Sequence, residues 1–567
     1  MNYKVFTVVA VVTIAVAAAP IAQSAFDPAI NEKIRKEEAA NSQVMRTLHY
    51  LADVYGPRVT GSPNHKAAAE WAVKTMTGWG MVNGRLEPWD WGHPGWANEH
   101  LAVHATAPFK DALVVEALAW TPGTNGVVKA KAFNLVIPEG PLADPSADQN
   151  AAARGGRGPQ RLTPTDAELT AYLDSIKDKV RNAAVLVGKP IFVPVNLTPP
   201  AGRLTDEAVR CRYDDNAATD PACTALTQGR GGRGAGGGAA GRGAAADPTR
   251  LTARQIADRT DGFLVQNKAA FRINDAGRPH GQIVAFDNRT YDVARVVPTV
   301  VMRNEDYGRI ARILADGTPV ELEATITNKT YPAGPSYNAV AEIAGTDKTA
   351  EVVMAGGHLD SWQSATGATD NAIGCAIMME AARILKTLGV QPRRTIRIAL
   401  WSGEEEGLLG SLAYVKQHFG AAETPTPEFA TFNGYLNIDT GTGRLRGASV
   451  FGPPEAARIL RDILAPFQDL KVGGATATTS RATGGTDSTS FNNAGLPGIG
   501  FNQDGIEYGS HTHHTNLDTY ERVIEADVRD AAVVVAGTLY QLAMRDEPLP
   551  RFAPDKMPPP PQRGGGI

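Results

Sequence analysis

The chain has 567 residues, 43% hydrophobic and 20% charged, with a formal net charge of −4. That length allows several cores of ordinary domain size, and the charge gives no electrostatic reason to expect nucleic acid or an anionic membrane as partner. Three cysteines are too few for a disulfide scaffold.

At the start, Lys4 precedes an apolar run from Val5 to Ala19, then Pro20 and the small-residue stretch Ala22-Gln23-Ser24-Ala25. A basic start, an apolar core too short to span comfortably and a small-residue exit predict a cleavable secretory signal over 1–25, with an uncleaved anchor as the alternative. No later run reaches transmembrane length, so the expectation is an exported protein, periplasmic or extracellular, without stable membrane insertion after signal removal.

From Asn31 to about Ala119 a helical pattern (Ala67 to Met76) mixes with extended stretches. Val127 to Ile137 and Ala183 to Val187 predict strands, separated by a stretch that includes the Gly/Arg/Ala-rich Ala151 to Arg161. Cys211 and Cys223 lie close in a polar, turn-rich stretch, a spacing open to pairing in an oxidising compartment, whereas Cys375 sits in an apolar helical pattern that reads as core. The run QGRGGRGAGGGAAGRGAAAD, Gln228 to Asp247, has a composition that cannot bury a core, so a mobile surface insertion is expected. Repeated Arg-Gly can also bind RNA, a reading that export disfavours. Val297 to Met302 predicts a strand and Tyr307 to Leu314 a short helix.

From about Asn338 strand and helix alternate. Glu351 to Gly357, Thr395 to Trp401, Gly434 to Ile438 and Gly498 to Phe501 predict strands; Ala372 to Leu388, Leu408 to Gln417 and Glu521 to Met544 predict helices. This order predicts an α/β fold with a mixed, mostly parallel sheet flanked by helices. The Pro/Gly-rich end, 549–567, is expected to be disordered.

Ligands collect beyond the carboxyl ends of strands in open α/β sheets. The residues just past each strand are therefore informative: His358 and Asp360, then Glu404 and Glu405, then Asp439, then a loop with His511, His513 and His514. Asp370 stands just before the first long helix. Alone, each has an ordinary use: a paired Glu complements a helix dipole, Asp370 caps a helix, Asp439 starts a turn and His514 is a surface histidine. Together they deliver imidazoles and carboxylates to one rim, a donor set that suits a pair of zinc ions. Asp370 is placed to bridge. Three carboxylates against two divalent ions leave one positive charge, which a hydroxide would neutralise, and a bound water's pKa would fall from about 15.7 toward roughly 7. Of the adjacent Glu404 and Glu405, one can ligate while the other takes the proton, and Asp360 can accept a hydrogen bond from the free ring nitrogen of His358. Asp487 reads equally as a site-edge residue and as a turn.

The runs GGHLDSW, GATDNAIG, ALWSGEEEGLLGS, LNIDTGTG and HTNLDTYERV resemble, in order, those of the co-catalytic zinc exopeptidases of peptidase family M28. The match spans roughly Asn338 to Met544, and Gly56-Pro57-Arg58 with Gly61-Ser62 resembles the family's N-terminal part. The resemblance implies that His358 and Asp439 hold one zinc and Glu405 and His514 the other, with Asp370 bridging, Glu404 as base and Asp360 in support of His358. It also implies a zinc exopeptidase fold over 26–124 and 334–548, interrupted by an inserted β-rich protease-associated domain over 125–333. Thr369 and Ser488 depart from the family pattern, and Thr483 stands near where some relatives carry a tyrosine. The implied activity is peptide hydrolysis by an aminopeptidase, with a carboxypeptidase or dipeptidase as the alternative. A metal-free receptor-like homologue and a one-zinc glutaminyl cyclase are more distant readings. Neither oligomeric state nor side-chain preference is readable.

Overall fold

The computed structural model describes residues 28–143, 161–197, 202–213, 220–223 and 247–561, with 199 and 217 as single residues. The expected signal, residues 151–160 of the first low-complexity run and 228–246 of the second lie outside the described residues.

Two eight-stranded sheets organise the chain, with strands numbered in sequence order. The first runs β1 (Val82–Trp89), β10 (Ser336–Ile343), β12 (Arg394–Trp401), β11 (Lys348–His358), β15 (Phe432–Ile438), β18 (Gly498–Gln503), β16 (Leu445–Phe451), β17 (Ala475–Thr478). The second runs β3 (Asp111–Ala112), β2 (Gly95–Ala107), β9 (Glu321–Tyr331), β5 (Val128–Leu135), β6 (Ala184–Val187), β7 (Phe271–Asp275), β8 (Thr299–Met302), β4 (Val115–Ala117). A short hairpin, β13 (Gly420–Ala421) with β14 (Thr424–Pro425), stands apart.

In the first sheet β12, β11, β15 and β18 are parallel, with antiparallel strands outside them. A parallel strand buried on both faces reads as a continuous apolar run, which is why Val352 to Ala355 are all buried. On one face lie helices Ile373–Thr387 and Glu525–Met544, whose Ile377, Ile384, Val535 and Leu539 are fully buried. The other face is aromatic: Trp401, Tyr414, Phe419, Phe432, Tyr435 and Phe491 pack between the sheet and helices Leu409–His418 and Ser488–Ala494. Each large side chain so buried contributes roughly 1.5–3 kcal/mol. Helix Ile373–Thr387 ends before Gly389, whose φ of +67° supplies the left-handed turn.

The second sheet begins at Gly95, ahead of the expected boundary at 125. The resemblance implied that boundary, but β2 belongs to this sheet because it pairs with β9, more than two hundred positions away in the chain, from Gly95↔Tyr331 to Ala107↔Glu321. The lobe is also less purely β than expected, since helices Asp166–Val180, Ala253–Gln266 and Asn304–Ala315 accompany its parallel strands β5 to β8. The first two open on capping boxes, Thr165 with Glu168 and Thr252 with Gln255, a local signal the sequence carries plainly.

One excursion of this lobe reaches back to the first sheet. Arg203 pairs with buried Asp527 at 2.6 Å, the Leu204 amide donates to Asp504 at 2.8 Å, and Asp206 holds Arg446 and Lys471 at 3.2 and 3.0 Å. Helix Asp206–Tyr213 then buries Val209 and Tyr213 at the β16/β17 edge. The glycines there are required by that contact: a Cβ at Gly447 would fall 2.5 Å from the Tyr213 ring, and one at Gly473 2.3 Å from Val209. Cys211 and Cys223 are disulfide-bonded across this excursion, and Cys375 is free and buried.

The tail departs from its expectation over 549–561, while 562–567 lie outside the described residues. Residues 549–561 pack on the first sheet's lobe: Leu549 is buried with its amide on the Asn433 side-chain oxygen at 2.7 Å, and Phe552 meets Phe451 edge-on at 5.4 Å. Proline removes donors but not apolar contact, so a Pro-rich segment can still dock. No helix among the described residues is long and apolar enough to cross a membrane.

Candidate metal centre

His358 is the last residue of β11 and is fully buried. Its Nδ1 lies 3.0 Å from the backbone carbonyl of Asp360, which leaves Nε2 to face outward as an acceptor. That nitrogen is 3.3 Å from Asp439 Oδ1, just past β15, and 3.2 Å from Asp370 Oδ1. The other oxygen of Asp370 is 3.3 Å from His514 Nε2, which in turn is 2.9 Å from Glu405 Oε2. Asp370 thus lies between two histidine–carboxylate pairs, one oxygen toward each. The five residues singled out as ligands in the sequence are brought together.

Asp370 is fixed from both sides. The carboxylate of Asp518 accepts the amides of Thr369 at 2.5 Å and Asp370 at 3.1 Å. The Asn371 side chain donates to the Ile438 carbonyl at 2.8 Å and accepts from the Gly374 amide at 3.1 Å. Behind this loop sits Arg58, fully buried, which donates to the carbonyls of Leu359, Leu51, Thr366 and Gly367 at 2.5, 2.7, 2.8 and 2.9 Å. The Gly56-Pro57-Arg58 motif therefore supports the bridging loop without touching a ligand.

Asp360 acts differently from expectation. Its backbone carbonyl, not its carboxylate, is the near partner of His358, since Oδ1 stands 3.8 Å from Nδ1. The carboxylate instead accepts the Glu405 amide at 3.1 Å and the Thr60 hydroxyl at 3.3 Å, and Thr60 in turn accepts the Gly403 amide at 3.0 Å. Asp360 and Thr60 together shape the turn that carries Glu404 and Glu405.

Sequence reading left three groups unassigned. His513 stacks on His514 at 3.7 Å and has Nε2 3.9 Å from Asp370 Oδ2, so Asp370, His513 and His514 form a second possible ligand group beside His358, Asp370 and Glu405. Asp518 lies inside the quoted run HTNLDTYERV, so its signal was present. Burial, helped by the charge of Asp370, pushes its carboxyl up to about 7. Tyr508 has its phenol raised by burial and by the charges of Asp370, Asp439 and Glu405, so it keeps its proton among them. Thr483, by contrast, is occupied in a local loop with the Thr478 hydroxyl at 3.2 Å, and Asp487 is buried at the entrance of helix Ser488–Ala494, with burial pushing it up to about 7.

Burial raises Glu404 well above the usual carboxylate range, with Asp439, Asp487 and Glu405 adding to the rise against the opposing charge of His358. Glu405 is raised by burial and by Asp370. For His358 burial opposes the charge, but Asp439, Glu404 and Asp370 outweigh it and raise the imidazole. Burial also works against the Asp370 carboxylate, yet His358, His514 and His513 together hold it below its ordinary value. Crowded carboxylates of this kind call for a compensating cation. Asp370 Oδ2 is buried without a hydrogen-bond partner, and mixed imidazole and carboxylate donors suit a borderline ion such as zinc. The residues fit such a group.

Residues 338–539 match the model described as Peptidase family M28. That match covers the strand-end loops that carry all five candidate ligands. The chain is also similar to Carboxypeptidase Q of Mus musculus, 32% identical over 288 residues, which covers 51% of this chain and 57% of that protein. The chain thus spans little more than half the length of that relative. Leupeptin-inactivating enzyme 1 of Streptomyces exfoliatus is 32% identical over 185 residues, 32% of this chain and 39% of that one. Among solved structures, the peptidase M28 precursor of Shewanella amazonensis SB2B superposes with a TM-score of 0.58 at 20% identity, over 93% of this chain and 98% of that one, which shows the fold.

Proposed function

We propose that this chain is an exported exopeptidase that uses two zinc ions to hydrolyse peptide bonds, with aminopeptidase polarity. The observation that carries the reading is the position of Asp370, one carboxylate oxygen toward His358 and Asp439 and the other toward His514 and Glu405. Bound there, zinc would polarise the scissile carbonyl and acidify a water. The chain's own residues do the rest. Glu404 takes the proton of the attacking water and passes it to the leaving amine, a part open to it because it sits beside the candidate ligand Glu405 without belonging to the ligand chain. The Asp360 carbonyl holds His358 in one tautomer, and Asp518, Asn371 and Arg58 hold the loop that presents Asp370. A protease-associated domain, which the resemblance implies over 125–333, would fall within the lobe that runs from Gly95 to Tyr331. Export is supported by the form of the first 25 residues and by the Cys211–Cys223 bond, which suits an oxidising compartment.

The metal content is directly measurable. Purified protein should carry about two zinc equivalents per chain, and dialysis against a chelator should abolish activity, restored by added zinc. One equivalent at full activity would sink the two-metal reading.

Polarity rests on charge. A pocket for a free α-carboxylate needs a positioned Arg or Lys. Three arginines that could serve, Arg444, Arg446 and Arg481, are engaged elsewhere: Arg446 with Asp206, Arg481 with Glu423 and the Asn493 carbonyl, and Arg444 with Asp527 at 3.4 Å. The similarity to Carboxypeptidase Q favours the alternative, a carboxypeptidase or dipeptidase. Comparing leucyl amide, its N-acetyl form and an N-blocked dipeptide with a free C-terminus separates the two. The expected result is cleavage of leucyl amide alone; cleavage of the N-blocked dipeptide alone would reverse the polarity.

A further inference from the structure

We propose that His513 is a further ligand for the ion at the His514–Glu405 end of the centre, holding it in the resting protein and giving up its place when substrate arrives. This rests on the two-zinc reading above and deepens it, since the resemblance gives that end a single histidine, His514.

Adjacent residues of an extended chain send their side chains to opposite sides. His513 and His514 do not. His514 has a φ of +60°, in the left-handed region, and the two imidazole rings stack at 3.7 Å with 29° between their planes. A residue with a Cβ stays in that region only where its surroundings hold it. Here the His513 amide donates to the Tyr508 carbonyl at 2.9 Å, the Thr515 amide to the Thr512 carbonyl at 3.0 Å, and the Thr369 hydroxyl to that of Thr512 at 3.0 Å. The Tyr508 ring lies 4.8 Å from that of His513.

The loop so held aims both imidazoles at one carboxylate oxygen. His513 Nε2 stands 3.9 Å from Asp370 Oδ2, the oxygen that His514 Nε2 approaches at 3.3 Å and that is buried without a hydrogen-bond partner. A separation of 3.9 Å is too long for a hydrogen bond. It is within the spacing of two donors that share a zinc ion, each about 2.0–2.2 Å from it. Donor atoms of Asp370, His513 and His514 all lie within 4.8 Å of one another, and Glu405 Oε2 is 2.9 Å from His514 Nε2. This end therefore offers two imidazoles and two carboxylates. Four protein donors close a zinc site, whereas a catalytic site keeps one position open. His513 is the member free to give way: its side chain is 44% exposed, against 24% for His514, 4% for Asp370 and 3% for Glu405. A neutral imidazole also departs without changing the charge balance of the centre, which a departing carboxylate would upset.

The test uses the full-length protein loaded with zinc and, separately, with cobalt, whose visible absorption reports the number of donors. His513→Phe keeps a flat ring to stack on His514 and removes the donor; His513→Ala removes both. Each variant should yield one of its two ions to a competing chelator roughly tenfold to a hundredfold more readily than wild type, and both should shift the cobalt spectrum alike. Acetohydroxamate, a small zinc-binding probe, should bind both variants more tightly than wild type, because no imidazole has to give way. Wild-type retention and spectrum in His513→Phe, with losses in His513→Ala alone, would assign His513 to stacking and overturn the proposal. Equal acetohydroxamate binding by all three proteins would overturn it too. Two ions held in a His513-dependent way by a protein that cleaves no peptide would sink the exopeptidase reading and keep the ligand. A wild type that takes up only one ion would overturn both.

Discussion

Glu404→Gln is expected to lower turnover by roughly a hundred- to ten-thousand-fold while both zinc ions stay bound. Gln keeps the shape of the side chain and removes its capacity to take a proton. Nothing in the ligand chain from Asp439 through His358, Asp370 and His514 to Glu405 runs through Glu404, so occupancy should hold. The adjacent change, Glu405→Gln, removes a charged partner of His514 and should reduce zinc occupancy before it alters chemistry. Steady-state kinetics with elemental analysis on both variants decides between the two roles. Near wild-type turnover in Glu404→Gln would reject the assignment, as would equal metal loss in both.

The second large effect is expected far from any reacting atom. Arg58→Met should lower stability by about 3 kcal/mol or more and weaken zinc binding. Arg58 is fully buried and donates to four carbonyls drawn from residues 51, 359, 366 and 367. Methionine fills much of the volume but removes those donors; the Gly367 carbonyl keeps the Ala372 amide at 3.1 Å, and each carbonyl left unsatisfied where water cannot reach costs about 1–3 kcal/mol. Two of them, Thr366 and Gly367, open the loop that ends at Asp370, so loosening them loosens the bridging carboxylate. Urea unfolding gives the stability change and a competitive chelator gives the zinc affinity. If stability falls while affinity does not, Arg58 supports the fold only.

The strand and helix order after Asn338 was legible because each element carries its own period and its own stop, such as the Gly389 turn after a helix. The candidate ligands could be singled out because strand ends in a parallel sheet share one edge, so position along the chain translates into position in space. What escaped was set by pairing across long separations. The start of the second lobe depends on β2 meeting β9, and no local pattern near Gly95 announces that partner. Asp360 was correctly placed beside His358, but which of its oxygens faces the ring is a matter of backbone path, not of residue type. Asp518 stood inside the quoted run HTNLDTYERV, but only the folded chain shows its carboxylate on the amides of Thr369 and Asp370. The docked tail went unseen because composition reports what a segment lacks, not which surface waits for it.

The second lobe hangs from two neighbouring strand ends. β1 and β10 finish side by side at Trp89↔Ser336, and β2 and β9 continue the pair from Gly95↔Tyr331. Topologically the whole lobe is therefore an elaboration at the tip of a hairpin, and a short turn joining Trp89 to Ser336 would close the first sheet without altering any strand order. The zinc-ligand candidates and Glu404 all lie outside it. The candidate metal centre and the second lobe are thus written on separable stretches of gene, so that one can be exchanged or reshaped while the other is inherited intact.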